Sequence, residues 1–319
     1  AAEAKAPFDL SRDLMLRARL LRLDDDRHVL LVTKHHIASD GWSMDVLLDE
    51  MCRLYEAFRV GQDDPLPPLP IQYADYSAWL AHWLHGDVLR EKLDYWQERL
   101  AGLPELHALP LDRPRPPRRT INGGRHSRSL ALSRPDALAA LSSRYDVTLF
   151  TFLEAVFALL VARWSGAEDI AVATPISART RPELAGLIGY FTNTLVLRSD
   201  CRGERTFEDL LASSRQMMLE AHDHHHVPFE MLVDRINPAR SLAYNALVQL
   251  SFTLQNNRAA TVGVIDLPGL RIAPLRNDEH ASVKFDLELT VKEDAEGLLA
   301  KWNYNTDIFD ASTIERMDL

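Results

Sequence analysis

The sequence predicts a mixed α/β (α+β) protein of two lobes, and three observations lead to this fold class. Between residues 16 and 58, strand-like alternation of apolar residues gives way to helix-like spacing. A segment rich in proline and arginine, DRPRPPRRTINGG, then interrupts the chain, and alternating strand patterns return after it. The length of 319 residues suffices for two lobes. We expect an N-terminal lobe at 1–111, a linker at 112–124 and a C-terminal lobe at 125–319.

The first elements are a pair of strands followed by a helix. Leu and Ala alternate with Arg at 16–20, and a continuously apolar strand at 28–33 suggests burial on both of its faces. Apolar residues then recur every three or four positions at 44–58, which predicts an amphipathic helix. Ser43 is the expected N-cap of this helix and Gly61 its stop.

The rest of the chain mixes helices and strands in the same way. Pro228 is expected as a first helical residue. Helices are predicted at 73–83, 89–102, 135–143, 148–166 and 207–221, and strands at 169–177, 248–255 and 285–292.

Composition and charge exclude several classes of protein. A net charge of -10 argues against nucleic acid as a partner, because no basic face would offset the phosphates. Two cysteines form neither a disulfide framework nor a metal-binding spacing, and they fit a reducing, cytoplasmic location. The longest apolar run, 148–164, contains Glu154 and Arg163, so we expect a buried helix and no membrane partner. The N-terminus, Ala-Ala-Glu-Ala-Lys-Ala without methionine, suggests a piece of a longer polypeptide.

The stretch HHIASDGWS places two histidines and an aspartate between a strand and a helix, where rigid scaffolds commonly present chemistry. Adjacent residues at a strand end point to opposite faces, so only one of His35 and His36 is expected to face a given cavity. Asp40 either orients an imidazole or forms a structural ion pair. On the residues alone, a pair of structural histidines beside a capped helix remains an alternative to a catalytic centre.

A second histidine cluster, HDHHH at 222–226, raises the question of a metal site. It lies at a predicted helix end, where the helix dipole favours histidine, and no helical pairing of carboxylate and histidine accompanies it. We therefore expect no metal site here. The sequence also lacks a glycine-rich phosphate loop, a G-x-S-x-G motif and a zinc signature.

Taken together, five stretches resemble the condensation domains of nonribosomal peptide synthetases. The family signature HHxxxDG corresponds to HHIASDG, and the other four markers follow in the family's order and rough spacing. The resemblance covers essentially the whole chain. The five stretches are HHIASDGWS (35–43), YADYSAW (73–79), IGYFTNTLVLR (188–198), VPFE (227–230) and RSLAYNALVQ (240–249).

This resemblance implies a fold and a reaction. The fold would be two chloramphenicol-acetyltransferase-like lobes arranged in a V, with the HHxxxDG loop in a tunnel between them. An upstream donor and a downstream acceptor carrier protein would deliver substrates on 4'-phosphopantetheine arms, next to an adenylation domain. The domain itself would bind no cofactor. It would act as an acyl or peptidyl transferase and form an amide from a donor thioester and an acceptor α-amine.

The resemblance also implies roles for individual residues. His36 would face the tunnel and either take a proton from the amine or hold the amine, whereas His35 would be structural. The Gly41 N–H is expected as an oxyanion donor, and Asp40 as the partner of Arg179. The expected catalytic loop comprises His35, His36, Asp40 and Gly41, with Arg179, Trp42 and Ser43 in support and Asn193 and Gln249 lining the tunnel.

The sequence departs from the family pattern at a few places. His225 and His226 replace the usual Gln-Asp pair, and Ala246 replaces a common proline. The first strand and helix of the family's N-terminal lobe, with an arginine that often supports the motif aspartate, have no counterpart in this sequence, and the final helix is shortened.

The family contains enzymes of more than one activity. The loop looks most like condensation domains that join an L-configured donor to an L-configured acceptor. An epimerisation domain and a non-catalytic carrier-docking domain are the alternatives. A heterocyclisation domain is excluded, because it carries aspartates in place of both histidines.

Overall fold

The computed structural model describes residues 6–131, 135–239, 241–255, 263–275, 281–294 and 297–319. Within these residues the chain folds into two compact units. The smaller unit comprises the described residues up to Ala81, Ser177–Thr192 and 263–275, and the larger unit comprises the remainder. This division falls before the expected linker at 112–124, so residues 82–111 group with the larger unit. The lobe boundary expected from the linker stays a prediction.

Strands and helices alternate along the described chain. The strands are β1 Leu16–Arg22, β2 His28–Lys34, β3 Asn122–Ala131, β4 Asp169–Ser177, β5 Thr192–Asp200, β6 Leu250–Gln255, β7 Ile265–Leu267, β8 Leu270–Ile272, β9 Ala281–Ser282, β10 Leu287–Asp294 and β11 Gly297–Asn305. The helices are α1 Gly41–Arg59, α2 Tyr73–Trp83, α3 Gly86–Arg99, α4 Pro135–Arg144, α5 Leu149–Ser165, α6 Phe207–Asp223, α7 Phe229–Ile236 and α8 Ala311–Met317, with one-turn 3-10 helices at His36–Ala38 and Pro182–Leu184. The expected mixture of helices and strands is confirmed.

In the smaller unit, β1 and β2 form an antiparallel hairpin in which Leu20 lies opposite Leu30. The prediction that β2 is buried on both faces is wrong. Leu30 and Val32 are exposed, because the sheet has two strands and none of the described residues covers this face. The core of the unit lies elsewhere, around Tyr76 and Phe191.

The larger unit is built on a seven-stranded sheet of the order β5-β4-β6-β10-β11-β3-β9. Helix α5 packs on this sheet, with Phe157 stacked on Phe252 in the main core cluster. A second cluster joins Trp96 and Leu100, at the end of α3, to Leu195 of β5 and Met217 of α6. This packing explains why α3 belongs to the larger unit.

The predicted helix ends hold at several positions. Gly61, after α1, and Gly166, after α5, adopt the left-handed conformation with φ of +74° and +70°, which glycine tolerates without a steric penalty. Thr148 caps α5 by accepting a hydrogen bond from the Thr151 amide. Pro228 precedes α7 as its N-cap, one position before the helix begins, which corrects its predicted place as the first helical residue.

Within the described residues no single helix has the length and apolar composition to cross a membrane. Two successive helical stretches, Leu138–Arg144 and Leu149–Ser165, meet that test together, and they are bent by 95° relative to each other.

Candidate functional site

The histidine pair lies on a one-turn 3-10 helix rather than at a strand end. Strand β2 ends at Lys34, and His35 caps the turn by accepting a hydrogen bond from the Ile37 amide at its Nδ1, at 3.1 Å. The prediction that the two histidines face opposite sides of a strand is therefore wrong, because the chain turns immediately after Lys34. The side chain of His36 is exposed, and its ring lies edge-to-face against Tyr190 with centroids 5.4 Å apart.

Asp40 is the N-cap of α1 and is almost completely buried, with 2% of its surface exposed. Its Oδ1 accepts hydrogen bonds from the Ser43 amide at 2.8 Å and from the Ser43 hydroxyl at 2.7 Å. The prediction of Ser43 as the N-cap is wrong by three positions. Ser43 is the N3 residue of a capping box, in which cap and N3 side chains satisfy each other's backbone amides.

The expected partner of Asp40 is present. Arg179 Nη2 lies 3.3 Å from Asp40 Oδ1 and donates to Ser43 Oγ at 3.0 Å. Its Nη1 donates to the Leu187 carbonyl at 2.9 Å, and the guanidinium carbon lies 3.9 Å from the centroid of the Phe191 ring. Because both members of the ion pair are at most 4% exposed, each charge depends on the other for compensation.

Backbone groups of residues 189–191 complete this network. The Phe191 amide donates to Asp40 Oδ2 at 3.0 Å, and the Gly189 amide donates to Ser43 Oγ at 3.1 Å. Ser43 Oγ also lies 2.9 Å from the Gly189 carbonyl oxygen. A hydroxyl carries one hydrogen, so Ser43 donates to either Asp40 or the Gly189 carbonyl at a given moment.

The electrostatics of the network keep Asp40 ionised. Burial alone would raise the pKa of Asp40, but hydrogen bonds from Ser43 and from the Phe191 amide, together with the Arg179 charge, outweigh it and lower the pKa below its ordinary value. Lys34 donates to the Asp40 carbonyl at 3.3 Å and to Ser39 Oγ. Burial lowers the pKa of Lys34, and Asp40 opposes this shift.

Gly41 and Trp42 begin helix α1. Gly41 is exposed and is the first helical residue, so its N–H is one of the amides that a helix leaves without an internal partner. The positive end of the helix dipole lies at this position and favours negative charge. Trp42 is 45% exposed and donates from its indole to the Ala185 carbonyl at 2.8 Å.

Two stretches that the sequence singled out separately pack on each other here. The Tyr73 hydroxyl donates to the Tyr190 carbonyl at 2.8 Å, and the rings of Tyr73 and Tyr76 contact Phe191 with centroids 5.1 Å and 4.7 Å apart. Gly189 is required by this packing, because a Cβ at that position would lie 2.2 Å from the Tyr73 ring.

Asn193 and Gln249 have structural roles in the larger unit, which corrects the expectation that they line a substrate passage. The Asn193 amide nitrogen donates to the His225 and Val227 carbonyls at 2.7 Å and 2.6 Å, and its oxygen accepts from the Phe229 amide. These bonds fix the turn before α7 and leave the amide nitrogen no hydrogen for a substrate.

Gln249 is engaged in the same manner. Its amide nitrogen donates to the carbonyls of Glu105 and Asn245, and its oxygen accepts from the His107 amide. With 3% of its surface exposed, the side chain is buried among backbone groups.

The second histidine cluster is partly buried. His225 is 2% exposed, its ring is 3.8 Å from that of His226, and the His226 ring lies against Trp83. Burial lowers the pKa of His226 to about 4, with the neighbouring His225 and Lys92 contributing. Across the described residues, no three or more His, Cys, Asp or Glu side chains are grouped to hold a metal ion.

The sequence reasoning missed two residues beside the loop, Lys34 and Tyr190. Lys34 was absorbed into an apolar strand pattern, although a lysine at the end of such a strand and next to HHxxxDG was the available signal. Tyr190 occupies the unspecified position of the marker Gly-x-Phe-x-Asn-Thr, so the marker gave no reason to single it out.

The geometry agrees with comparisons to known proteins. The family model for the condensation domain matches residues 1–318. A protein of the linear gramicidin synthase of Brevibacillus parabrevis is 46% identical over 316 residues, which are 99% of this chain and 4% of that protein. The chain belongs to the condensation-domain family of nonribosomal peptide synthetases, a family of transferases whose members work with carrier and adenylation domains in multidomain enzymes.

Solved structures show the same condensation-domain fold. The X-domain from teicoplanin biosynthesis is 26% identical with a TM-score of 0.88, over 99% of this chain and 72% of that one. The epimerization domain from the third module of tyrocidine synthetase B matches with a TM-score of 0.72 at 17% identity, over 99% of this chain and 72% of that one, a likeness of fold alone.

Proposed function

We propose that this chain catalyses amide formation between a thioester carried by one carrier protein and the α-amine of an amino acid carried by another. The observation that supports this most is the position of His36. It is exposed at the end of a loop whose following residue, Asp40, is fixed by five named contacts from Ser43, Phe191 and Arg179. A rigid support with one accessible imidazole is the arrangement that proton transfer to or from a bound substrate requires.

The reaction makes modest demands on the protein. The amine nitrogen attacks the thioester carbonyl carbon, the new C–N bond forms, the C–S bond breaks, and the donor thiol leaves on its own pantetheine arm. An α-amine titrates near neutral pH, so much of it is already nucleophilic. Holding the two tethered groups within reach supplies most of the acceleration.

Within this proposal each residue has a distinct role. His36 takes the proton that the attacking nitrogen loses and returns it to the departing sulfur, or holds the amine by a hydrogen bond. His35 is structural, because its Nδ1 already accepts the Ile37 amide. The Gly41 N–H, at the positive end of α1, is the proposed donor to the carbonyl oxygen as negative charge develops there.

The partners follow from the reaction. We place an upstream donor carrier and a downstream acceptor carrier, each with a 4'-phosphopantetheine arm, and an adenylation domain beside this chain in the cytoplasm. The substrates that we propose are an L-configured donor and an L-configured acceptor. The relative in Brevibacillus parabrevis is part of a peptide synthetase, and this chain would span a small share of its length.

A partner-recruiting domain is the second candidate, and the high structural similarity to the X-domain favours it. In that case the chain would bind carriers or other proteins without forming an amide. Epimerisation of one carrier-bound residue is the third candidate, with the similarity to the tyrocidine synthetase domain in its favour.

Mass spectrometry of the intact carriers separates these candidates. The chain is incubated with a loaded donor carrier and a loaded acceptor carrier, and the masses and the chirality of the bound residues are recorded. Amide formation moves the donor acyl mass to the acceptor carrier. Inverted α-carbon chirality without a mass change would instead establish an epimerase, and carrier binding with no change in mass or chirality would establish a recruiting domain.

A further inference from the structure

Residues 189–191 are attached to the start of helix α1 at two points. The Gly189 amide donates to Ser43 Oγ at 3.1 Å, and the Phe191 amide donates to Asp40 Oδ2 at 3.0 Å. Tyr190 lies between these two anchors, so its backbone is held on both sides by the same buried capping box.

A third anchor fixes Tyr190 itself. The Tyr73 hydroxyl donates to the Tyr190 carbonyl at 2.8 Å. The Tyr73 ring occupies the space that Gly189 leaves by having no Cβ. The position of the Tyr190 backbone is therefore determined from two directions, by α1 and by α2.

The Tyr190 side chain meets the histidine of the loop. Its ring centroid lies 5.4 Å from that of His36, at an interplanar angle of 83°, within the range of favourable edge-to-face contacts. Tyr190 is 40% exposed and His36 is exposed, so the contact covers one side of the imidazole and leaves the rest accessible.

From this geometry we infer that Tyr190 is a positioning residue for His36. An exposed imidazole on a single turn of 3-10 helix has several side-chain rotamers available. A ring whose backbone is anchored at three points selects the rotamer that places the imidazole against it. This inference rests on the proposed function, because the orientation matters for catalysis only if His36 acts on the amine.

Nuclear magnetic resonance tests the contact without any reaction. In the full chain labelled with ¹³C at histidine Cε1, the variant His36→Ala identifies the His36 signal. Tyr190→Leu, which removes the aromatic ring current, is expected to move that signal, whereas Tyr190→Phe is expected to leave it nearly in place. Tyr55→Leu on α1 is the matched control, because Tyr55 has a similar exposed fraction of 37%.

The catalytic consequence is tested by the rate of amide formation on loaded carriers. Loss of one aromatic contact is expected to lower kcat about threefold to tenfold in Tyr190→Leu, with little change in KM for either carrier. Tyr190→Phe is expected to retain kcat within about twofold, and the pH dependence of kcat is expected to change in Tyr190→Leu alone. In the His36→Ala background, Tyr190→Leu is expected to lower the residual rate no further.

The possible failures are distinguishable. An unchanged His36 signal in Tyr190→Leu would overturn the positioning role whatever the rate. A shifted signal with unchanged kcat and pH profile would overturn it as well. Full activity of His36→Ala would contradict the proposed function first, and the role of Tyr190 in catalysis with it.

Discussion

The amide of Phe191 lies 3.0 Å from Asp40 Oδ2, although the two residues are 151 positions apart in the chain. This bond and the ion pair of Asp40 with Arg179 place both carboxylate oxygens of Asp40 in buried contacts. Asp40 therefore holds the 177–192 segment against the start of α1, a few residues after His36. Its role in the account is to fix the loop.

Replacing Asp40 with Asn should lower the free energy of unfolding by about 3 kcal/mol at pH 7, because the change leaves the Arg179 charge buried without its partner. The pKa of Asp40 is lowered in the folded state, so its contribution is present above the ordinary value of 3.8 and is lost as pH falls through the folded value. Urea unfolding at pH 7 and near pH 3 measures both effects. The difference between wild type and variant should shrink at the lower pH.

Asp49→Asn is the matched control for this change. Asp49 is on the same helix, and its side chain is 70% exposed beside Arg53. This variant should unfold within about 0.5 kcal/mol of the wild type, as surface pairs contribute little. Equal stability of Asp40→Asn and Asp49→Asn would show that the buried pair does not support the loop.

Gly189→Ala should destabilise the smaller unit. The added Cβ would lie 2.2 Å from the Tyr73 ring and 2.9 Å from the Phe191 ring, and overpacking of this kind costs about 1–3 kcal/mol. Gly186→Ala is a close control, because its Cβ would lie 3.6 Å from Leu69, in ordinary contact. Hydrogen exchange of residues 186–191 compares the two. Equal protection in both variants would contradict the tight fit of Tyr73 on Gly189.

Glu154→Gln should remove a loss of stability at alkaline pH. Burial raises the pKa of Glu154 to about 7 from an ordinary 4.5, with hydrogen bonds from Ser199 and Ser214 opposing the shift. A raised pKa gives stability below pH 4.5 that is lost as pH rises through 7. The wild type should therefore lose about 2–3 kcal/mol between pH 5 and 8 that the variant retains. Thermal unfolding across this range measures the difference.

An exposed glutamate, Glu98, provides the comparison for Glu154. Glu98→Gln should preserve the pH dependence of the wild type. If Glu154→Gln followed the same curve as Glu98→Gln, the buried carboxyl would not be the group that titrates.

His226→Gln should act in the opposite pH range. Burial lowers the pKa of His226 to about 4 from 6.5, so its contribution is complete above pH 6.5 and is lost as pH falls towards 4. The wild type should lose about 2 kcal/mol between pH 7 and 4.5 that the variant largely keeps. Urea unfolding at the two pH values tests this, with the exposed His85→Gln as control. Parallel losses in His226→Gln and wild type would contradict it.

The sequence predicted the elements better than their surroundings. The alternation at 16–20 and the periodicity at 44–58 follow from local geometry, so β1 and α1 were found close to their observed bounds. Exposure of β2 was missed, because an apolar strand looks the same whether or not another layer covers it. The Asp40 cap was missed for a similar reason, since Asp and Ser are both good caps and only the turn at 36–38 decides between them.

The site could be predicted in part. The pairing of Asp40 with Arg179 was accessible because a buried aspartate requires a cation. The contacts of Tyr190 and the internal hydrogen bonds of Asn193 depend on segments brought together by the fold, which spacing along the chain does not contain. Amide side chains in particular look alike in sequence whether they bind substrate or backbone.

The central claim is that the His36 imidazole performs proton transfer in amide formation, and the initial rate of acyl transfer between loaded carriers tests it most directly. We expect His36→Ala to slow transfer by about a hundredfold or more while folding and carrier binding are retained. His28→Ala, an exposed histidine of β2, should transfer at the wild-type rate. A His36→Ala variant that transfers acyl groups as fast as His28→Ala would contradict the account.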